Sequence, residues 1–198
     1  MATLTALRRS RPGRVALEVD GRPWRAVPDD VVVRCGLHAG LTLDRPRLRL
    51  LRAELKRAEA LASAGRALAQ APLSRRRLGE RLRRGGVTPA AERAAVGTLA
   101  AAGLVDDARL AHGRARALAD RGWGDLSIAA RLEREGFGAE DARNALDSLP
   151  PERERAAALV GKLGQPRRRA WATLARRGFS PETLEDALGS LDADGEPG

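Results

Sequence analysis

Three stretches of the chain align with one another without gaps, and this internal repeat restricts the fold more than any other feature. Each copy is 22 residues long, and the copies occupy residues 78–99, 128–149 and 170–191. Tandem copies of a short unit are typical of repeat architectures, in which each unit packs against its neighbours because it buries little apolar area alone. The repeat therefore predicts a tandem array of small helical units.

Each copy carries the signals of two helices joined by a tight turn. A glycine follows a leucine by four residues in every copy, as expected for the left-handed residue that ends a helix. These glycines are Gly86, Gly136 and Gly178. A helix start comes next, where Thr88-Pro89 and Ser180-Pro181 pair an N-cap with a first-turn proline, and Gly138 gives a weaker version. A further helix precedes each copy, so we expect modules of three helices.

The sequence before the repeats follows a different pattern. Apolar residues alternate with other residues over 15–19, which is the period of a half-buried strand. Asp20 and Gly21 then form a two-residue hairpin signal, and residues 24–27 are expected to be the return strand. A long helix is predicted to start after Asp44, a suitable N-cap. One apolar stripe of this helix is expected to contain Leu48, Leu51, Leu55, Ala58 and Ala62. This region therefore predicts a small β-hairpin segment ahead of the helices.

Together these patterns predict a mainly α protein, in which tandem three-helix modules form a curved array behind a small N-terminal β-hairpin segment. The predicted segments are the hairpin with a short helix, three helical modules and a disordered tail. They occupy residues 1–44, 45–102, 103–150, 151–191 and 192–198.

Residue types that carry catalysis or bind metals are scarce. Cys35 is the only cysteine, which excludes an internal disulfide, and we interpret it as a small core residue. His38 and His112 are the only histidines, so we expect no metal site, no cofactor and no enzyme activity. Asp106 and Asp107 form the one conspicuous acidic pair, and their position at a helix start favours capping over acid–base catalysis. A metal-dependent nuclease at this pair stays an alternative.

The sequence shows no pattern typical of a membrane-spanning segment or a secretory signal. No apolar run approaches the roughly 20 residues that span a bilayer. The first residues are charged and lack the apolar core of a secretory signal. We therefore expect a cytoplasmic protein without a membrane partner, acting as a monomer.

The net charge of +10 is distributed unevenly along the chain. Residues 1–105 hold 21 of the 36 Lys and Arg residues but only 9 of the 26 Asp and Glu residues. The second half is close to neutral. The first half is therefore a candidate for contact with a polyanion or an acidic protein surface.

A basic face recurs on the middle helix of the modules. With about 100° between successive residues, these arginines point away from the buried leucines. They are Arg76, Arg77, Arg83 and Arg84 in the first copy, Arg134 in the second, and Arg168, Arg169 and Arg176 in the third. A solvated helix face is the alternative interpretation. Contact with phosphates here would be independent of base sequence. Trp123 and Trp171 are assigned to core or interface packing rather than to base stacking, since aromatics make up only 3% of the chain.

The stretch from Gly103 to Phe137 resembles the central motif of the RecX family. That motif reads Gly-aromatic-Leu-Asp-Asp-x-Arg-Phe, then a Gly-Tyr/Trp-Gly turn, then a helix ending in Leu-x-x-x-Gly-Ile. The matching residues are Gly103, Asp106, Asp107, Arg109, Gly122, Trp123, Gly124, Ile128, Leu132 and Gly136. The basic helix after Leu73-Ser74 is similar to the family's other signature, and the resemblance extends over about residues 10–191. Leu104 and Leu110 stand where the family usually has aromatic residues, and we interpret them as core substitutions.

The resemblance implies a negative regulator of the RecA recombinase. RecX-like proteins bind the RecA–single-stranded DNA filament along its helical groove and inhibit strand exchange, ATP hydrolysis and filament growth. The implied partners are the RecA filament and DNA, single-stranded or also double-stranded. We take the eight arginines of the basic face as candidate contact residues and the central-motif residues as structural. The alternative is a free-standing basic nucleic-acid-binding protein with no role on RecA.

Overall fold

The computed structural model describes residues 2–189. Leu191, the last repeat position, and the predicted tail at residues 192–198 lie outside this part of the chain. The strands and helices are β1 Ala2–Arg11, β2 Arg14–Val19, β3 Arg22–Pro28, α1 Asp29–Arg34, β4 Thr42–Leu43, α2 Arg45–Gln70, α3 Arg75–Arg84, α4 Pro89–Ala101, α5 Asp107–Asp120, α6 Asp125–Arg134, α7 Ala139–Asp147, α8 Glu152–Leu163, α9 Arg167–Arg176 and α10 Pro181–Leu188. The prediction of a mainly α fold behind an N-terminal β segment is confirmed. In this described part, no helix has the length and apolar character needed to cross a membrane.

The chain divides into two compact units. The first contains Met1–Ala71 and Leu78–Leu104, and the second contains Pro72–Arg77 and Val105–Gly198. The division falls inside α3, whose first three residues belong to the second unit. The segment boundaries expected from the sequence stay a prediction.

The predicted hairpin is the centre of a larger sheet in the first unit. Asp20 and Gly21 have φ values of 50° and 74°, the positive pair that a type I′ turn between β2 and β3 requires. The sheet has four strands in the order β3-β2-β1-β4. The predicted hairpin therefore corresponds to β2 and β3, and the sequence pattern did not predict β1. The second half of β1 is rich in arginine and lacks apolar alternation, and antiparallel pairing with β2 places Leu7 opposite Leu17.

Helix α2 packs under the sheet and also against α4. Its start at the Asp44 N-cap is confirmed, because the carboxylate accepts a hydrogen bond from the Arg47 backbone N–H at 2.8 Å. Leu51 and Leu55 are buried as expected, within the core under the sheet. The predicted stripe was wrong further on, since Ala62 is exposed. The buried residues there are Ala60, Ala64 and Ala67.

The second unit contains two successive three-helix bundles. Helices α5, α6 and α7 enclose one core, in which Ile128 and Leu132 are fully buried. Helices α8, α9 and α10 enclose another around Leu174 and Phe179. The predicted pattern of one preceding helix and two repeat helices therefore describes both bundles.

Local signals at the helix ends were mostly predicted correctly. The turn glycines Gly86, Gly136 and Gly178 have φ values of 81°, 85° and 78°. Ser180 caps α10 through the Thr183 backbone N–H, whereas Thr88 makes no such side-chain bond within the described part of the chain.

Two of the core assignments succeed and one fails. Cys35 is half-buried against the first core, and burial raises the pKa of its thiol. Leu110 packs against the α5–α7 core, as expected. Leu104 is 63% exposed, so its assignment to the core was wrong. It lies in the connection after α4, directly after the positive-φ residue Gly103.

Candidate nucleic-acid interface

The start of α3 is anchored to the end of α6 and the start of α5. Ser74 is only 2% exposed, and its hydroxyl donates a hydrogen bond to the Glu135 carbonyl at 2.6 Å. The same oxygen accepts a bond from the Arg77 backbone N–H at 3.3 Å. The Asp107 carboxylate accepts a bond from the Arg75 backbone N–H at 2.9 Å. The first turn of this basic helix is therefore held by side chains that the repeat alone does not reveal.

The start of α6 meets the end of α9 through an equivalent contact. The Gly124 N–H donates to the Arg177 carbonyl at 2.9 Å, and the Leu126 N–H donates to the Gly178 carbonyl at 3.1 Å. A Cβ added to Gly124 would collide with the backbone of Gly178. Only a residue without a side chain allows the two backbones to lie this close.

Two other motif glycines, Gly122 and Gly136, also lie at close contacts. A Cβ on Gly136 would lie 3.1 Å from the Cβ of Arg76 and from the Ser74 hydroxyl, and its φ of +85° favours glycine in any case. Gly122 has a φ of +77°, and its carbonyl accepts a bond from the Arg177 guanidinium at 3.2 Å. Gly122, Gly124 and Gly136 therefore lie at contacts between successive repeats, whereas Gly103 has open space where a Cβ would stand.

The acidic pair separates into two capping roles. Asp106 caps its own helix by accepting a bond from the Arg109 backbone N–H at 2.9 Å. Asp107 instead caps α3, a helix of the preceding repeat, through the Arg75 N–H. Burial raises the pKa of Asp107. The expectation of capping was correct, but its target for Asp107 could not be predicted from the sequence.

Glu152 repeats the role of Asp107 at the next junction and extends it. One carboxylate oxygen accepts a bond from the Asp125 backbone N–H at 2.6 Å, at the start of α6. The other accepts bonds from the Ser180 N–H, the Ser180 hydroxyl and the Thr183 hydroxyl at the start of α10. Sequence reasoning missed this residue. Its position as the first residue of α8, matching Asp107 in α5, was the available signal.

Arg155 completes this junction. Its guanidinium donates to the Trp123 carbonyl at 3.0 Å and pairs with the Asp125 carboxylate. Trp123 itself packs against the α5–α7 core, with the Arg131 guanidinium 4.4 Å from the ring centroid. Trp171 packs against the last core. The structure therefore supports a packing role for both tryptophans.

We expect Glu152 to make folding stability depend on acid pH. Burial raises its pKa, but the hydrogen bonds from Asp125, Thr183 and Ser180 outweigh burial and hold it below its ordinary value. A carboxyl with a lowered pKa stabilises the fold above its unfolded pKa, and this contribution is lost as pH falls through the folded pKa. Glu152→Gln should cost about 1–2 kcal/mol at neutral pH. The deficit should shrink in acid when urea unfolding is followed across the carboxyl range.

The control for this experiment is Glu154→Gln, which changes an exposed carboxylate in the same first turn of α8. It should leave the free energy of unfolding at neutral pH close to that of the wild type. A deficit for Glu152→Gln that stays constant from neutral to acid pH would contradict the role assigned to its charge.

All eight arginines predicted for the basic face are exposed, but they differ in their contacts. Arg77 donates from its guanidinium to the Arg134 carbonyl. Arg83 pairs with Glu92, a residue only 9% exposed, at 2.8 Å. Arg76 lies over Gly136. On α3, therefore, three of the four arginines also contribute to structure.

Among the eight candidate arginines, Arg168 and Arg169 of α9 make the fewest polar side-chain contacts in the described part of the chain. Arg168 and Arg169 lie in the first turn of a ten-residue helix that contains no acidic residue. Within residues 2–189, no carboxylate comes within ion-pair distance of either guanidinium. Arg176 makes one long contact of 3.4 Å with the Thr173 hydroxyl. The remaining predicted residues, Arg84 and Arg134, donate to carbonyls of their own helices. The exposed cations suit a polyanionic partner, with α9 the clearest candidate surface.

Comparison with known proteins gives a consistent set of relatives. No family model matches the chain. It is 36% identical over 123 residues to the regulatory protein RecX of Stenotrophomonas maltophilia strain R551-3, covering 58% of this chain and 76% of the relative. It is 35% identical over 123 residues to the regulatory protein RecX of Xanthomonas oryzae pv. oryzae strain MAFF 311018, covering 58% and 77%.

Two solved structures share the fold. A crystal structure of regulatory protein RecX superposes with a TM-score of 0.81 at 22% identity and covers 96% of this chain and 100% of that one. A crystal structure of RecX from Lactobacillus salivarius gives a TM-score of 0.62 at 18% identity, covering 70% and 97%.

Proposed function

This chain belongs to the RecX family, and from this premise we propose that it is a negative regulator of the RecA recombinase. It binds the RecA–single-stranded DNA filament in the cytoplasm and inhibits its ATPase and strand exchange. The mode of action is binding rather than catalysis. This agrees with the engagement of Asp106 and Asp107 in helix capping, which leaves neither of them a free acid–base group.

The observation that carries the proposal is the exposed arginine surface of α9. Arg168 and Arg169 stand in solvent without a neighbouring carboxylate among the described residues, so their guanidinium groups are open to phosphate oxygens. Arginine binds phosphate through paired N–H donors. The exposed arginines of α3 are a second contact surface of the same kind. RecA filaments on DNA offer both phosphates and a protein surface to such groups.

RecA ATPase activity on single-stranded DNA tests this proposal directly. Adding the protein at increasing concentration should reduce the steady-state rate of ATP hydrolysis at fixed RecA and DNA. The decrease should persist when DNA is saturated with RecA before the protein is added, because the filament is the target. An unchanged rate under both orders of addition would contradict the proposal.

A salt titration separates the proposal from the alternative of a free-standing nucleic-acid-binding protein. Binding to naked single-stranded DNA and to the RecA filament is measured by anisotropy of a labelled oligonucleotide at several salt concentrations. Each phosphate contact on a single strand adds about 0.7 to the slope of log K against log salt. Tighter binding to the filament at every salt concentration supports action on RecA. Equal affinity for both would favour the alternative.

A further inference from the structure

One face of the N-terminal sheet lies opposite the core. Leu17 and Val27 point into the core with α1 and α2 beneath them. The residues that alternate with these inward-facing positions along each strand therefore point outward. Register places Arg8 opposite Ala16, and Ala16 opposite Ala26, so these three residues form one row across β1, β2 and β3. We call this side of the sheet the outer sheet face.

Three arginines extend across the outer sheet face. Arg8 lies in the row described above, and Arg11 and Arg14 are opposite one another at the end of the β1–β2 hairpin. All three are exposed. The Arg14 guanidinium donates to the Ala26 carbonyl at 3.1 Å, so it reaches across to β3. Neighbouring strands are about 4.8 Å apart, so the arginines lie within about 10 Å of β3.

Trp24 stands at the edge of this face. The register shifts between the pairs Leu17–Arg25 and Glu18–Pro23, so Trp24 is an extra residue of β3 at a bulge. A bulge of this kind changes the direction in which the side chains point. The indole is 44% exposed, in contrast to the packed Trp123, and the Arg25 guanidinium lies 6.0 Å from its ring centroid. An exposed aromatic ring beside a guanidinium is a surface on which an unpaired base can stack.

The charge of the outer sheet face is almost entirely positive. Its carboxylate, Glu18, already accepts a bond from the Thr5 hydroxyl at 2.9 Å. In the part of the chain that the structure describes, Arg8, Arg11 and Arg14 have no carboxylate within ion-pair distance. The predicted basic face of the helices contains only some of the Lys and Arg residues that give residues 1–105 their excess positive charge. The outer sheet face accounts for a further share.

We propose that the outer sheet face binds single-stranded DNA. The arginines contact successive phosphates, and Trp24 stacks on one base of the same strand. The side chains of Ala6, Ala16 and Ala26 are small and project little from the sheet, so a DNA strand can lie flat on this surface. Single-stranded DNA fits better than a duplex because the exposed indole needs an unpaired base. The proposal does not require RecA as a partner and is tested on naked DNA.

Trp24 fluorescence reports on this site. In the variant Trp123→Phe/Trp171→Phe, Trp24 is the only tryptophan, and oligo(dT) added at low salt should quench its emission. A duplex of equal length should quench it far less. If oligo(dT) binds, as judged by anisotropy of a labelled strand, while the Trp24 emission stays unchanged, the proposal is wrong. Equal quenching by the duplex would overturn the assignment to single strands.

A second measurement uses variants in which Trp123 and Trp171 are both kept. Trp24→Ala should weaken oligo(dT) binding about tenfold, since loss of one stacked base has this magnitude. Arg8→Gln/Arg11→Gln/Arg14→Gln should lower the slope of log K against log salt by about 2. The matched control is the triple glutamine variant of the exposed arginines Arg93, Arg143 and Arg153, which removes the same charge elsewhere.

These outcomes are separable from those of the proposed function. If the Arg8, Arg11 and Arg14 variant binds oligo(dT) as its control does, the outer sheet face is not a DNA site, whatever the effect on RecA. If RecA ATPase is unaffected by the protein while the outer-face variants lose DNA affinity, the action on RecA is wrong and the DNA site stands.

Discussion

Replacing Gly124 by alanine is expected to destabilise the second unit by about 3 kcal/mol, the upper part of the range for forcing atoms into a packed site. The added methyl group would meet the Gly178 carbonyl and the Phe179 nitrogen, which are backbone atoms with no freedom to rotate away. Relief requires the start of α6 to move from the end of α9. That movement breaks the Gly124 and Leu126 hydrogen bonds across the junction. Urea unfolding followed by circular dichroism measures the change.

Gly113→Ala is the matched control. Gly113 lies inside α5, is exposed, and has open space where a Cβ would stand. The same added methyl group should there stabilise the protein by roughly 0.5–1 kcal/mol, because alanine favours helix. Gly124 has a φ of −82°, so its substitution adds no left-handed backbone strain and tests the close contact alone. A loss below about 1 kcal/mol would show that the two backbones are not this close in solution.

The parts of the fold that were predicted correctly rest on signals within a few residues. Asp20 and Gly21 define a turn by their own backbone preferences, and Asp44 caps the helix that begins at the next residue. Gly136 ends a helix because it tolerates a positive φ. Such preferences operate whatever the chain does elsewhere. The repeat then extends them, because equivalent positions in three copies carry equivalent conformations.

The parts that were missed depend on contacts between distant segments. The second half of strand β1 has no apolar alternation and is held by pairing with β2. Glu152 reads as an ordinary first-turn carboxylate, and its importance appears only when α6 and α10 both start next to it. Gly124 has an ordinary φ, so nothing local marks it as a contact with Gly178. Sequence spacing gives the period of the repeat but not the atoms that join one copy to the next.

The arginines show the same limit at the candidate site. Helical phase predicted that all eight would be exposed, and they are. Phase could not show that Arg77 reaches the Arg134 carbonyl or that Arg83 pairs with Glu92. Reversing Arg83 would place two carboxylates together and leave the buried Glu92 without its cation, which is costly in itself. Charge reversal across α3 would therefore mix a loss of binding with a loss of stability.

The double variant Arg168→Glu/Arg169→Glu avoids this ambiguity, and it should weaken binding to the RecA–single-stranded DNA filament about tenfold or more at low salt. Both residues lie in the first turn of α9 and are exposed. Carboxylates in the first turn interact favourably with the positive end of the helix dipole, so the fold should be kept or slightly stabilised. Inhibition of RecA ATPase should shift to correspondingly higher protein concentration. The slope of log K against log salt should fall by about 1.4, the share of two phosphate contacts.

Arg143→Glu/Arg153→Glu is the control, since it makes the same change in net charge on exposed positions of α7 and α8, with Arg153 also in a first turn. If net charge alone drew the protein to the filament, both double variants would lose affinity equally, and α9 would have no special role. Unfolding curves like that of the wild type for both variants, with the loss of inhibition confined to the α9 pair, would assign the contact to α9. Because the salt slope counts neutralised phosphates, an unchanged slope with weaker binding would instead place these arginines against RecA itself.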